Sequence, residues 1–304
     1  MDLKTVVNLQ LIMFTLCLCG YVLTKAGVVT PERRKGLSDL LIGLILPCNI
    51  ICSFMIELKR EILTDAVFVL GIALAVQVMS YVMGLFLYRG QPMGRQKVLR
   101  YATMCSNAGF MGNPVVEGIY GAQGLLYASV YLIPLRIFMW SAGLSCFTVA
   151  SPRDIFKKLL RHPCIIAVFI GFGVMAAPSV LPAFLTESLQ YLSRCTLPVS
   201  MIVIGSILAE VDARKILNLG TCYYCFIRLL VIPAVTLLIC KMCGAGGLVM
   251  GVCAVLAGMP AGSTTAILAE KYDGDAGYAS ECVFVSTLLS LFSIPLVYYM
   301  AEIL

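Results

Sequence analysis

The sequence predicts an all-α membrane protein: ten transmembrane helices in two inverted five-helix repeats, with broken crossover helices 4 and 9. Three observations point there. Of the 304 residues, 60% are hydrophobic and 12% charged, against about 25% charged in an ordinary soluble domain. Apolar runs long enough to cross a hydrocarbon core of about 30 Å recur along the whole chain. Two of these runs carry a proline close to a glycine near their middle, at corresponding places in the two halves.

The runs fall at about 5–24, 37–56, 64–88, 97–120, 124–149, 162–180, 188–209, 215–241, 246–270 and 276–303. The first is read as a span and not a signal peptide, because Asp2 and Lys4 stand at its front and a small-residue cleavage pattern is weak. The second holds Pro47, with Asn49 and Ser53 one helical turn apart behind it. The fourth holds Asn107, the triplet Gly112-Asn113-Pro114, and Glu117. The fifth has Arg136 near its middle, and the sixth starts at His162-Pro163, where a lone histidine in a basic loop is expected at the membrane interface. The seventh contains Pro198, the eighth Arg228 five residues before Pro233, and the ninth Gly258-Met259-Pro260 followed by Gly262, Ser263 and Thr264. The tenth carries Glu281. Loops between the runs are short, leaving no segment for a soluble catalytic or ligand-binding domain.

Charge sets the orientation. Fifteen of the 22 Lys and Arg residues fall in the loops after runs 1, 3, 5, 7 and 9, five lie on the other side, and Arg136 and Arg228 lie within spans. The positive-inside rule then puts the odd loops in the cytoplasm and both termini outside a plasma (inner) membrane. The net charge of +6 is thereby a signal of topology, and no nucleic-acid partner is expected. Fourteen cysteines include Cys222-x-x-Cys225 and Cys240-x-x-Cys243, a spacing that mimics a zinc ribbon. Both pairs sit on one expected helix, about 27 Å apart at 1.5 Å per residue, too far for one ion, so neither a metal nor another cofactor is expected.

The halves, 1–150 and 151–304, echo each other. "LPCNI" at 46–50 resembles "LPVSM" at 197–201, and "YAS" at 127–129 recurs at 278–280. Five spans per half make the repeat inverted. A mid-helix proline removes an amide donor and clashes with the carbonyl four residues earlier, and irregular backbone at membrane depth survives only where protein or a water-filled cavity satisfies it. Paired breaks therefore suggest a site. Pro114 is expected to open a half-helix with Asn113 as its N-cap, and Pro260 another whose first turn offers Gly262, Ser263 and Thr264. Half-helix N-termini present positive dipole ends suited to an anion.

The stretches "NAGFMGNP" at 107–114, "YGAQGLLYAS" at 120–129, "LPVSMIVIGSILAE" at 197–210, "RLLVIPAVTLL" at 228–238 and "AGMPAGSTTAILAEKYDGDAGYASECVFVSTLLSLFSIPL" at 257–296 resemble the auxin efflux carrier family, which includes plant PIN carriers and bacterial malate or malonate permeases. The long cytoplasmic loop of many PIN carriers is absent here. The resemblance implies a fold similar to that of bile-acid sodium symporters, with scaffold helices 1, 2, 6 and 7, transport helices 3–5 and 8–10, elevator-type alternating access, and a homodimer. It places Asn113, Pro114 and Pro260 at the crossover and Pro47 and Pro198 at facing kinks. Asn113 stands where many relatives have an apolar residue.

The expected activity is transport of a small organic anion, a mono- or dicarboxylate. A sodium-coupled carrier of larger amphipathic anions on the same fold is the alternative; an intramembrane enzyme or a sensor fits less well, since H-E-x-x-H and G-x-S-x-G are absent and Asp273 and Asp275 share one short loop. Candidate binding residues are Asn49, Ser53, Asn107, Asn113, Pro114, Pro260, Gly262, Ser263, Thr264 and Arg228. A mid-bilayer arginine costs about 2.5–3.5 kcal/mol on insertion scales, so Arg136 and Arg228 each either serve a substrate or are held by a carboxylate or by broken-helix carbonyls. Glu117 and Glu281 are candidates for ion coupling, with H+ or Na+ left open.

Overall fold

A computed structural model describes residues 3–56, 59–147, 157, 160–177, 181–210, 218–272 and 274–304. The expected boundary between the halves, the loop cations Arg153, Lys158, Arg214 and Lys215, and Asp273 lie outside the described residues. The described chain is helical: α1 (Leu3–Lys25), α2 (Pro31–Ser53), α3 (Arg60–Leu87), α4 (Met93–Met104), α5 (Ala108–Gly143), α6 (Pro163–Ala176), α7 (Ala183–Leu208), α8 (Leu219–Met242), α9 (Gly247–Ala257), α10 (Thr264–Lys271) and α11 (Ala276–Ile303).

Seven of these, α1, α2, α3, α5, α7, α8 and α11, are long and apolar enough to cross a membrane, which makes this a multi-pass membrane protein. The other expected spans differ for visible reasons. The run at 97–120 is divided between α4 and the start of α5; the run at 246–270 is divided between α9 and α10; and the run at 162–180 holds the 14-residue α6. Long α5 is itself bent at Gly121, whose φ of 65° and ψ of −158° are non-helical, a backbone region that glycine enters without the Cβ clash of other residues.

The first break is not where proline alone predicts it. The chain leaves the helix at Cys105–Asn107 and is helical again through Gly112, Asn113 and Pro114, with Asn113 at φ −56° and ψ −53°. Residues 108–112 form a wider π-turn just before Pro114. The same device precedes Pro47, at Leu41–Ile45, and Pro233, at Ile227–Val231. A π-turn shifts the carbonyl pairing by one residue and so gives the proline ring room without ending the helix. In the second half the chain breaks between Ala257 and Thr264, so Pro260 does not open the half-helix as expected. The helix begins four residues later, and Gly262 and Ser263 precede its first turn because residues 260–262 are drawn into the bridge to Cys105–Asn107.

Helix α9 lies at the centre, with residues 249–257 all buried, as an all-round apolar sequence requires. At the edge, α1 and α7 touch backbone to backbone: Gly20 leaves no space for a Cβ against Ile202, nor does Gly205 against Cys17. Small residues permit such approach between membrane helices. Gly205→Val is expected to cost about 1–3 kcal/mol, as overpacking does, read as a lowered unfolding temperature in detergent; an unchanged temperature would contradict the close contact.

Two ion pairs join loops. Arg34 pairs with Glu210 at 2.7 Å, joining the loops after the first and seventh runs, and Arg95 meets Asp275 at 3.3 Å, joining those after the third and ninth. Elsewhere Tyr127 donates to Asp65 at 2.8 Å, and Asn49 to Ser193 at 2.9 Å.

Candidate functional site

The two breaks meet. Ser106 and Ala261 form an isolated antiparallel bridge, with the Asn107 amide donating to the Pro260 carbonyl at 2.8 Å and the Gly262 amide to the Cys105 carbonyl at 3.0 Å. Each interrupted segment therefore supplies the backbone partners that the other lacks. The remaining groups are met by side chains. Arg228 donates through Nε to the Met259 carbonyl at 2.9 Å and through Nη1 to the Thr103 carbonyl at 3.0 Å. Tyr224 donates to the Ala102 carbonyl at 3.1 Å, and the Ala261 amide to Ser286 Oγ at 3.1 Å. Irregular backbone persists in a membrane protein only with such compensation.

Beside this bridge is a half-open cavity of about 120 Å³, room for several waters or one small acid. One wall is made by Ser106, Asn107, Gly109 and Phe110 and another by Gly262, Ser263 and Thr264, so the starts of α5 and α10 both border it. Their first-turn amides have no partner within their own helices, and the dipole end there is positive. Arg136, Met139 and Trp140 come from the far end of α5, Ile42 and Leu46 from α2, and His162 and Cys164 from the start of α6. Arg136 is 5% exposed, and its Nη1 is buried without a hydrogen-bond partner among the described residues. Ser106 Oγ and His162 Nδ1 are in the same condition. A guanidinium facing a cavity offers charge-assisted hydrogen-bond donors.

Of the candidates from the sequence, Asn107, Gly262, Ser263 and Thr264 line this cavity, and Thr264 also accepts from Tyr101 at 3.0 Å. Asn49, Ser53, Asn113, Pro114, Pro260, Arg228, Glu117 and Glu281 do not. Pro260 serves through its carbonyl and Arg228 through the carbonyls it holds. Ser53 bonds the Ile50 carbonyl in its own helix at 2.6 Å. Asn113 is fully buried with both amide atoms unpartnered among the described residues. Glu117 accepts from Asn49 at 3.0 Å, and Glu281 from Asn218 at 2.6 Å and Thr221 at 2.8 Å. The Cys222, Cys225 and Cys240 side chains are strung along α8, and Cys243 follows it.

Sequence reasoning ranked Arg228 above Arg136 and put His162 at the interface, whereas Arg136 and His162 face one cavity. Ser106 and Trp140 were missed. A signal for the break existed: Ser106-Asn107, two N-cap residue types ahead of the small residues Ala108 and Gly109, marks a helix start.

The chain matches the family described as Membrane transport protein over residues 5–155 and again over 147–298. It is 29% identical over 297 residues to an uncharacterised transporter of Methanothermobacter thermautotrophicus, covering 92% of this chain and 93% of that protein. It is 26% identical over 308 residues to an uncharacterised transporter of Methanocaldococcus jannaschii, covering 95% and 96%.

Proposed function

Because the chain belongs to the membrane transport protein family, that of the auxin efflux carriers, we propose that it is a secondary transporter for a small organic anion, with the cavity at the paired breaks as its binding site. The family and both relatives are transporters, which leaves no place for the intramembrane-enzyme reading. The observation that carries the substrate's charge is Arg136: a guanidinium that is 5% exposed, unpaired at Nη1, and faces a cavity walled by two helix starts. Three cationic or partially positive groups converge on a small space, and among the described residues that line it there is no acid to compensate. A carboxylate fills that role.

The same proposal includes ten spans in inverted five-helix halves, with α4 plus the start of α5, and α9 plus α10, as the crossed pair. Support comes from the Gly121 bend, which divides α5 into two spans, and from polar contacts that join odd loops to odd loops. Cytoplasmic odd loops, external termini and a plasma-membrane location follow from the lysines and arginines. The cavity wall draws on α2 and α6 on one side and on α5 and α10 on the other, the division an elevator motion of transport helices against a scaffold needs. A homodimer completes the proposal.

Purified protein in liposomes should accumulate labelled malate or an indole-acetate-type acid and be inhibited by other carboxylates but not by their neutral amides. Equal inhibition by acid and amide would remove the anion site from the reading.

A further inference from the structure

We propose that His162 is a second contact for the anion proposed above, on which this inference rests, and that its imidazole takes up a proton as the anion binds. His162 lies just ahead of α6 and borders the cavity together with Arg136 of α5. Each carries a buried nitrogen that meets no partner among the described residues, Nδ1 in the imidazole and Nη1 in the guanidinium. Two basic side chains from different parts of the chain thus share one small space. The guanidinium is always charged, whereas the charge of the imidazole depends on its surroundings.

The groups around His162 decide that charge. From α5 comes Arg136, the charged side chain that acts on the imidazole electrostatically. Helix α6 itself brings the buried Cys164 thiol, 4.0 Å from the Ile42 carbonyl of α2. Apart from that, α2 lines the cavity with apolar side chains, and the starts of α5 and α10 add hydroxyls and the Asn107 amide. In the preceding loop Arg161 is exposed. Among the described lining residues no carboxylate offsets a second cation. Burial first, and the Arg136 cation second, hold the imidazole down to about 4, so before an anion binds it is neutral at neutral pH.

An anion reverses that balance. A carboxylate paired with the guanidinium cancels the like charge beside His162, and its own negative charge favours the imidazolium. A neutral imidazole has one N–H and one bare nitrogen, while the imidazolium donates from both. Nδ1 then carries a proton whichever tautomer came before, and offers it to a carboxylate oxygen. The step balances as one anion and one proton bound together. The proton comes from water reaching the half-open cavity and returns there when the anion leaves. Binding alone is involved, so nothing is required of the unloaded protein on its way back across the membrane. By linkage, affinity rises as pH falls through the pKa of the anion-bound form and levels off below that of the anion-free form.

His162 is the one histidine in the chain, so imidazole nitrogen NMR signals, from protein purified without a histidine tag, report on it alone. In the absence of substrate, Arg136→Met should move the pH midpoint of those signals up by about one unit relative to wild type. Saturating malate should move the wild-type midpoint up by at least about one unit. Between about pH 8 and about pH 6, where carboxylic acids stay ionised, calorimetry should show wild-type malate affinity tightening about threefold to tenfold. Heats measured in buffers of different ionisation enthalpy should register the proton taken up. His162→Gln should bind malate with an affinity that is flat over the same range. A midpoint that bound malate leaves unmoved, or a pH dependence kept in His162→Gln, overturns the proposal. If wild type binds no malate, the anion reading fails and takes the proton uptake with it. The midpoint in Arg136→Met needs no substrate: moved, it locates the failure in the anion reading; unmoved, in the pairing of His162 with Arg136.

Discussion

Arg136→Met should abolish carboxylate uptake and at the same time raise the unfolding temperature. Most substitutions at a binding site leave stability level or lower it, so the opposed signs are the informative part. In the folded protein the guanidinium is 5% exposed, and its Nη1 meets no acceptor among the described residues. A mid-bilayer cation costs about 2.5–3.5 kcal/mol on insertion scales, and among the described residues no carboxylate pairs with Arg136 to offset it. Methionine fills the space with flexible apolar atoms and removes that cost, and among the described residues no carbonyl loses a donor. The substrate loses more than it gains. A hydrogen bond to a charged group contributes about 1.5–3 kcal/mol, so binding should weaken by at least about tenfold to a hundredfold. Lysine at this position should restore part of the uptake, because it keeps the charge but not the planar fork. Uptake at the wild-type rate, or a lowered unfolding temperature, would show that Arg136 is structural. Function held at the expense of stability is the expected relation at a binding site.

How far the site was legible in the sequence depends on which force positions each residue. Spans are set by the thickness of the hydrocarbon core, so apolar run length alone places α1, α3 and α11 within a few residues. Charge placed the odd loops together on one side, and the Arg34–Glu210 and Arg95–Asp275 contacts each join two of those loops. The first break was misplaced because proline has two outcomes in a helix. Pro114, like Pro47 and Pro233, is absorbed by a preceding π-turn, and only the partner segment decides which outcome occurs. The chain opens instead at Ser106, where Ala261 is available to bridge. His162 adds a feature that sequence did not show: its place ahead of Pro163 at the start of a span suggested an interface, and the packing of α6 against α2 and α5 also puts it at the cavity. Nor does sequence distinguish the two mid-span arginines. Arg136 and Arg228 sit at similar depths in similar apolar runs, and their difference lies in whether a distant segment leaves carbonyls within reach.

That difference yields the second large effect. Arg228→Met should cost the protein its fold, not merely its activity. The Met259 and Thr103 carbonyls belong to opposite halves of the chain, and Arg228 holds both, at 2.9 Å and 3.0 Å. Without it two buried acceptors at the ends of the broken segments are left unpaired, each costing about 1–3 kcal/mol. The sum is a large part of a total stability of about 5–15 kcal/mol. Expression in membranes and the unfolding temperature should therefore fall together with uptake. Arg228→Lys should rescue little: a single ammonium on a flexible stem does not reproduce two donors fixed in one plane and aimed at two segments. Were Arg228→Met to keep its unfolding temperature while losing uptake, the residue would be acting on substrate and the roles of the two arginines would be exchanged. Measured side by side, the variants separate an arginine stabilised by protein carbonyls from one left open for a ligand, a distinction that loss of uptake alone does not make.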